Sequence, residues 1–127
     1  MIRKAVIPAA GVGTRLLPVT KSVPKELLPI IDRPSIQYVV QEAVDSGIRD
    51  IALVVSPGKE ALTDYFRPAP DLEKWLHEQG KPDLARELER IARMARITTV
   101  VQRRPLGLGH AVLCAEKFVG NEPFAVL

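Results

Sequence analysis

Short apolar runs rich in β-branched residues alternate along this chain with segments of helical periodicity. Residues 50–56 form the clearest run, with the length and continuous apolar character of a strand buried on both faces. The clearest helix is expected to open at Asp32-Arg33-Pro34 and to end at Gly47, because its apolar residues fall on one stripe. The predicted order is strand 4–9, helix to Gly47, strand 50–56, helices 59–66, 71–79 and 82–95, strand 97–102, helix 108–117 and strand 123–127. Since parallel strands need right-handed helical crossovers, this order predicts a doubly wound, mostly parallel α/β sheet.

The composition excludes several classes of protein. Of the 127 residues, 46% are hydrophobic and 26% are charged, which is ordinary for a globular domain and unlike a collagen-like or disordered chain. The single cysteine, Cys114, cannot form an internal disulfide, and with two histidines it provides no zinc-binding set. No apolar run approaches the roughly 20 residues that span a bilayer, and the first residues do not resemble a signal peptide. The sequence therefore predicts a cytoplasmic protein that does not insert into a membrane.

The net charge of +3 arises mainly from one segment. Residues 81–104 carry seven Lys or Arg side chains against three Asp or Glu side chains. The cations stand at helical spacings beside carboxylates, and no aromatic residues lie between them for base stacking. A solvated helix face is therefore favoured over a nucleic-acid-binding surface, and no nucleic-acid partner is expected.

A segment rich in proline and glycine follows the first predicted strand. Five of the eleven prolines lie in the first 34 residues, together with Gly11 and Gly13. Proline fixes φ and lacks an amide hydrogen, so residues 9–25 are expected to form a stiff loop with a set shape. Segments 9–25, 56–59 and 102–110 each follow a predicted strand, and ligands of doubly wound sheets bind outside the carboxyl ends of the strands. The sequence therefore predicts a binding site where these three segments meet.

The glycines of this loop match neither of the two familiar phosphate-binding loops. Leu16 stands where a dinucleotide-binding fingerprint requires its third glycine, and Thr20 precedes Lys21-Ser22 where a P-loop requires glycine. Arg15 and Lys25 nevertheless offer a guanidinium fork and a compact ammonium group for phosphate oxygens. The Gly-x-Gly pattern taken alone favours an ordinary strand-to-helix turn followed by surface cations.

A longer string decides between these interpretations. The loop reads Gly11-Val-Gly-Thr-Arg-Leu-Leu-Pro-Val-Thr-Lys-Ser-Val-Pro-Lys-Glu-Leu-Leu-Pro29, which resembles the signature of the sugar-phosphate nucleotidyltransferases. Within that family the chain is most similar to the bacterial uridylyltransferases that act on UTP and glucose 1-phosphate. Three further strings share this similarity: Ala9-Ala10-Gly11, Gly107-Leu-Gly-His-Ala-Val-Leu113 and Asn121-Glu-Pro-Phe-Ala-Val-Leu127. The resemblance implies a Rossmann-like sheet of the nucleotidyltransferase type, incomplete at its C-terminus, with residues 1–127 as the N-terminal nucleotide-binding part of a single catalytic domain.

The resemblance also implies roles for residues of the loop. Backbone groups would contact the uracil and ribose of UTP at three positions, Ala9, Ala10 and Gly11. The triphosphate would be cradled by Gly13, Thr14 and Arg15. Lys25 would contact the triphosphate from the opposite side.

A second set of implied site residues lies outside the glycine string or at its end. Gln102 would hydrogen-bond the uracil edge, because an amide carries both donors and acceptors, and Gly107 would pack near the base. Glu26 is a further site candidate, with pairing to Lys25 as the alternative. His110 is expected in the first turn of a helix without a chemical role, and Cys114 is expected in the core.

The reaction implied by the resemblance is attack by the phosphate oxygen of glucose 1-phosphate on the α-phosphorus of UTP, giving UDP-glucose and pyrophosphate. Arg15 and Lys25 would act as catalytic residues by neutralising charge, with Mg²⁺ bridging phosphates. The family places its metal-binding aspartates after the fourth strand, so no metal ligand is expected in this chain. We therefore expect an N-terminal fragment, inactive alone, of an enzyme that forms a homo-oligomer. Two alternatives stay open: a nucleotidyltransferase for another base or sugar, and a non-catalytic nucleotide-binding module of the same fold.

Overall fold

A four-stranded sheet forms the centre of the chain, which a computed structural model describes over residues 1–11 and 13–127. The strands of the described chain are β1 (Lys4–Pro8), β2 (Pro29–Ile30), β3 (Arg33–Pro34), β4 (Asp50–Val55), β5 (Arg96–Val101) and β6 (Phe124–Val126). Its helices are α1 (Ser35–Asp45), α2 (Ala61–Asp64), α3 (Pro70–Glu78), α4 (Pro82–Arg93), α5 (Leu108–Leu113) and α6 (Glu116–Val119). The sheet has the order β5-β4-β1-β6 with every pairing parallel, while β2 and β3 form a separate antiparallel pair.

Helices cover both faces of the sheet. Successive side chains of each strand point to opposite faces, so each strand contributes to two clusters. One face presents Ile7 and Leu53 to a cluster that includes buried residues of α1, α2 and α4. The other face presents Val6 and Val54 to a cluster that includes buried residues of α5 and α6. The doubly wound α/β fold predicted from the alternation of elements is therefore confirmed.

The structure differs from the sequence prediction at three helices, of which α2 is shorter than predicted, covering Ala61–Asp64 and not residues 59–66. The predicted helix 108–117 is divided, because the amide of Ala115 donates to the carbonyl of Val112, three residues back, and ends α5 before α6 begins. The segment Asp32-Arg33-Pro34 does not open α1 in helical geometry. Pro34 is extended, with φ −65° and ψ 147°, and disfavours helical geometry at the residue before it, so Arg33 pairs with Ile30 and the helix begins one residue later.

The positively charged segment forms α4 and its surroundings. Arg86 pairs with Asp83, and Arg90 pairs with Glu87 at 2.8 Å, each three residues apart on the exposed side of the helix. These pairs support the interpretation of a solvated helix face. Within the described residues, no helix combines the length and the apolar character needed to cross a bilayer.

Candidate functional site

The loop after β1 is shaped by a glycine that no other residue can replace without strain. Gly13 has φ +70° and ψ 42°, the left-handed region in which a Cβ is costly. A Cβ at this position would also lie 3.0 Å from Thr20 Cγ2 and 3.5 Å from Lys25 Cβ. Thr20 is only 4% exposed, and its hydroxyl donates to the Gly13 carbonyl at 2.7 Å. The loop therefore closes on itself between Gly13 and Thr20.

Side chains from the segment after β4 hold the same loop from outside. The Ser56 hydroxyl donates to the Ala10 carbonyl at 3.0 Å. The Lys59 ammonium donates to the carbonyls of Thr20 and Lys21 at 3.4 and 3.3 Å. Two of the three segments predicted to converge are thus joined by direct hydrogen bonds, which fix the loop before any ligand arrives.

A cavity of about 340 Å³ lies at the carboxyl ends of the strands. We call it the Gln102 cavity. Six of the residues proposed from the sequence line it: Ala10, Gly11, Lys25, Glu26, Gln102 and Gly107. The segments after β1 and β5 therefore meet at one cavity, as the sequence predicted.

A second cavity of about 510 Å³ continues along the glycine loop. We call it the Arg15 cavity. Four further loop positions line it with Gly11 and Lys25: Gly13, Thr14, Arg15 and Leu16. Because Gly11 and Lys25 belong to both linings, the two cavities adjoin at the Lys25 ammonium, which lies 3.9 Å from the position of a Cβ on Gly11.

The charges at the cavities are mostly positive and uncompensated. Arg15 and Lys25 are exposed, and neither forms an ion pair with any residue in ranges 1–11 and 13–127. Glu26 is the acidic group that lines the Gln102 cavity. Among the described residues, it forms no ion pair with Lys25. Burial raises the pKa of the Glu26 carboxyl, while a backbone hydrogen bond and the Lys25 charge oppose that rise. This arrangement favours an anionic ligand across both cavities.

Gln102 is held in the wall of its cavity by three hydrogen bonds. Its backbone N–H continues the sheet pairing by donating to the Val55 carbonyl at 2.8 Å. Its side-chain nitrogen lies 3.3 Å from the Gly107 carbonyl and 3.0 Å from Nδ1 of His110. Gly107 has φ +93° and ψ 178°, a conformation that is essentially restricted to glycine, and this turn brings α5 back over Gln102.

Ala9 departs from the expectation for the loop. It is 4% exposed, packs in the core on the α1 face of the sheet, and lines neither cavity. Its amide N–H donates to the Val54 carbonyl at 2.7 Å, because Ala9 extends the pairing of β1 with β4 by one residue. That N–H is therefore unavailable to a ligand, whereas a contact through the carbonyl of Ala9 stays a prediction.

Several residues that shape the site received no role from the sequence. Thr20 and Lys59 act on the loop backbone, and the segment containing Ser56 was singled out only by its position after a strand. His110 lies in the first turn of α5, as predicted, yet it also contacts Gln102. Cys114 is partly buried against the α5 face of the sheet, in agreement with its predicted place in the core. His110 lies about one helical turn after Gly107, and this spacing was the signal in the sequence that could have indicated its position beside Gln102.

The described residues contain no group of three or more His, Cys, Asp or Glu side chains that could hold a metal ion. Glu26 is a single carboxylate, whereas Mg²⁺ needs near-octahedral oxygen ligands that include substrate phosphates and water.

Comparisons with known proteins agree with this geometry. A family model described as nucleotidyl transferase matches residues 4–127. Two curated relatives from Bacillus subtilis (strain 168) are 56% and 52% identical over 99% of this chain, and both are named UTP–glucose-1-phosphate uridylyltransferase, the first of them YngB. The chain spans 42% and 43% of the length of these relatives.

Solved structures show the same likeness. A structure described as UTP-bound UGPase from Acinetobacter baumannii is 49% identical, with a TM-score of 0.95 over all of this chain and 45% of that chain. A UDP-glucose pyrophosphorylase complexed with UDP-glucose is 43% identical, with a TM-score of 0.82 over the same share of each chain. Because the family model covers nearly every residue, the chain belongs to the nucleotidyl transferase family.

Proposed function

We propose that the protein containing this chain transfers a uridylyl group from UTP to glucose 1-phosphate, giving UDP-glucose and pyrophosphate. The names of the relatives support this proposal, and so does the likeness to a solved UGPase that is described as UTP-bound. The observation that carries it is the pair of adjoining cavities, one walled by Gln102 and the other by Arg15, with Lys25 at their junction.

The two cavities suit the two ends of a nucleoside triphosphate. The Gln102 cavity offers an amide and backbone groups for a base, whereas the Arg15 cavity offers a guanidinium group and a glycine turn for phosphates. We assign the uracil to the first cavity and the triphosphate to the second. Lys25 then lies near the α-phosphate, where the reaction takes place.

The chemistry demands positioning and charge neutralisation more than proton transfer. The phosphate oxygen of glucose 1-phosphate is already anionic near neutral pH, so the attack on the α-phosphorus needs no general base. Catalysis of phosphoryl and nucleotidyl transfer rests on in-line placement and on stabilising the charge that develops on the phosphate oxygens. Arg15 and Lys25 supply that charge from a loop that Ser56, Lys59 and Thr20 hold in place.

Mg²⁺ is the cofactor that we propose for the complete protein, where it would neutralise and bridge phosphate oxygens. The described residues contain no group of three or more potential metal ligands, and we propose that other parts of the complete protein contribute ligands for Mg²⁺. We also propose that the complete protein is cytoplasmic and that it forms a homo-oligomer.

The test is the formation of UDP-glucose by the complete protein encoded by the gene that contains this sequence. Purified protein is incubated with UTP, glucose 1-phosphate and Mg²⁺, and UDP-glucose and pyrophosphate are measured separately. Parallel reactions replace UTP by CTP, dTTP, ATP or GTP, and replace glucose 1-phosphate by another sugar 1-phosphate. Equal amounts of both products, with UTP and glucose 1-phosphate preferred, would support the proposal. A preference for another base or sugar, or nucleotide binding without turnover, would contradict it.

A further inference from the structure

The orientation of the Gln102 side-chain amide follows from its two neighbours in the protein. The Gly107 carbonyl oxygen can only accept a hydrogen bond, so the amide atom 3.3 Å from it must be the nitrogen. The same nitrogen lies 3.0 Å from His110 Nδ1. An amide nitrogen carries two hydrogens, and these two acceptors engage both of them. Within the described residues no group donates to Oε1 of Gln102, and no buried side-chain oxygen lacks a partner, so Oε1 is accessible on a residue that lines the cavity.

The proton on the His110 ring is assigned by the same reasoning. Because the NH₂ group of Gln102 can only donate, Nδ1 of His110 must accept, and the hydrogen of the neutral imidazole lies on Nε2. Cys114 Sγ lies 3.8 Å from the same Nδ1, one helical turn further along, and a thiol is at most a weak donor there. The Gly107 carbonyl also accepts from the backbone N–H of Ala111 at 3.1 Å, which joins the first turn of α5 to the carbonyl that Gln102 contacts.

We propose that His110 is a positioning residue for base selection, which holds the Gln102 amide with its oxygen toward the cavity. This inference rests on the proposed function, because it takes a uracil base to be the occupant of the Gln102 cavity. An acceptor in that position selects a base that presents an N–H at its hydrogen-bonding edge, as uracil does at N3. Cytosine presents an unprotonated N3 there, so two acceptors would face each other.

The selection depends on which way the amide is turned, and the two orientations differ by an exchange of NH₂ and oxygen. In the opposite orientation the oxygen would face the Gly107 carbonyl, which can only accept, and Nδ1 of His110, which accepts unless the ring proton moves from Nε2. Buried acceptors without donors are costly, so the two neighbours together hold one orientation. Removing the acceptor at His110 leaves only the longer bond to Gly107, and the amide gains freedom to present its NH₂ group to cytosine.

The experiment compares His110→Leu with His110→Asn in the complete protein. Oδ1 of asparagine can take the place of Nδ1 as an acceptor, whereas leucine fills the space without one. Dissociation constants for UTP and CTP are measured by calorimetry, and UDP-glucose formation is measured on the same preparations. His110→Leu should narrow the preference for UTP over CTP by about three- to tenfold, the worth of one neutral hydrogen bond, while His110→Asn keeps it. An equal preference in both variants, whether retained or reduced, would overturn the positioning role.

A second measurement needs no substitution at His110 in the sample itself. Nitrogen-15 NMR of labelled histidine distinguishes a proton on Nε2 from a proton on Nδ1, and the resonance is assigned by its loss in His110→Asn. A proton on Nε2 is expected, and a proton on Nδ1 would refute the inference. The proposed function fails separately, if the unmodified protein makes no UDP-glucose. An active His110→Leu variant with unchanged nucleotide preference would overturn only the role of His110.

Discussion

Replacement of Gly13 by alanine tests whether the shape of the loop depends on this one backbone position. A Cβ in the left-handed region costs roughly 1–2 kcal/mol. The same Cβ would lie 3.0 Å from Thr20 Cγ2, and crowding of a packed site costs about 1–3 kcal/mol more. Thr20 cannot easily withdraw, because it is buried and its hydroxyl is bonded to the Gly13 carbonyl. We therefore expect Gly13→Ala to lower the free energy of unfolding of the loop region by about 2–5 kcal/mol.

Gly47→Ala is the matched control. Gly47 has φ +91°, but a Cβ there would meet nothing within 4 Å. This control carries the backbone strain without the crowding, so its cost should stay near 1–2 kcal/mol. Urea unfolding of the complete protein followed by circular dichroism gives the global effect, and hydrogen exchange of the loop amides gives the local one.

Thr20→Ser in the Gly13→Ala background isolates the crowding. Serine keeps the hydroxyl that bonds the Gly13 carbonyl and removes the Cγ2 methyl group, the atom nearest to the added Cβ. Alone, the loss of a buried methyl group costs about 0.8 kcal/mol, whereas beside the added Cβ the same loss should relieve part of the strain. Additive effects in this double-mutant cycle, or a Gly13→Ala variant no less stable than Gly47→Ala, would refute the reasoning.

Three further predictions concern the cavities of the complete protein. Lys25→Ala should lower kcat by about 10²- to 10³-fold and should raise the KM for UTP by a smaller factor, because a preorganised charge acts on the transition state. Lys21 is exposed on the same loop but lies outside both cavities, so Lys21→Ala should change neither kcat nor KM. A raised KM with full kcat would reduce Lys25 to a binding residue. Gln102→Ala should weaken UTP binding by about 1 kcal/mol and relax the preference for uracil, and unchanged discrimination in nucleotide titrations would contradict the assignment. Because burial raises the pKa of Glu26, its ionised carboxylate destabilises the folded state at pH values above that pKa. This destabilisation disappears as the pH falls toward the ordinary value of 4.5. Glu26→Gln should therefore gain stability over the unmodified protein at neutral pH and lose that advantage in acid, as checked by urea unfolding at both pH values.

The parallel, doubly wound class of the sheet could be predicted from the sequence because each of its four strands is a local signal. Residues 51–55 are apolar on both faces of the strand, and a strand of that kind is typical of a sheet covered on both sides. The division between α5 and α6 could not be predicted, since Ala115 has high helix propensity and its local hydrogen bond to Val112 follows from packing against the sheet. The antiparallel pair of β2 and β3 is two residues long on each side, too short for any periodicity to reveal.

The candidate site was predictable in its backbone and less so in its side-chain contacts. The position of Gly11 and Lys25 after β1 and of Gln102 after β5 follows from the order of elements, and both segments line one cavity. The hydrogen bonds from Lys59 to the loop and from Gln102 to His110 depend on turns whose geometry the sequence does not express. For Ala9, one additional residue of strand pairing was enough to remove its N–H from the site.

The position of β4 between β1 and β5 sets a fixed distance within the site. Gln102 follows β5 and the glycine loop follows β1, so the two are separated by two strand spacings. Each spacing is about 4.8 Å, which places the ends of the two strands roughly 10 Å apart. Backbone hydrogen bonding determines that length, and no side-chain substitution can alter it. The sheet therefore keeps the β1 and β5 ends of the site at a constant separation, and a change in the size of ligand accepted has to come from the loops.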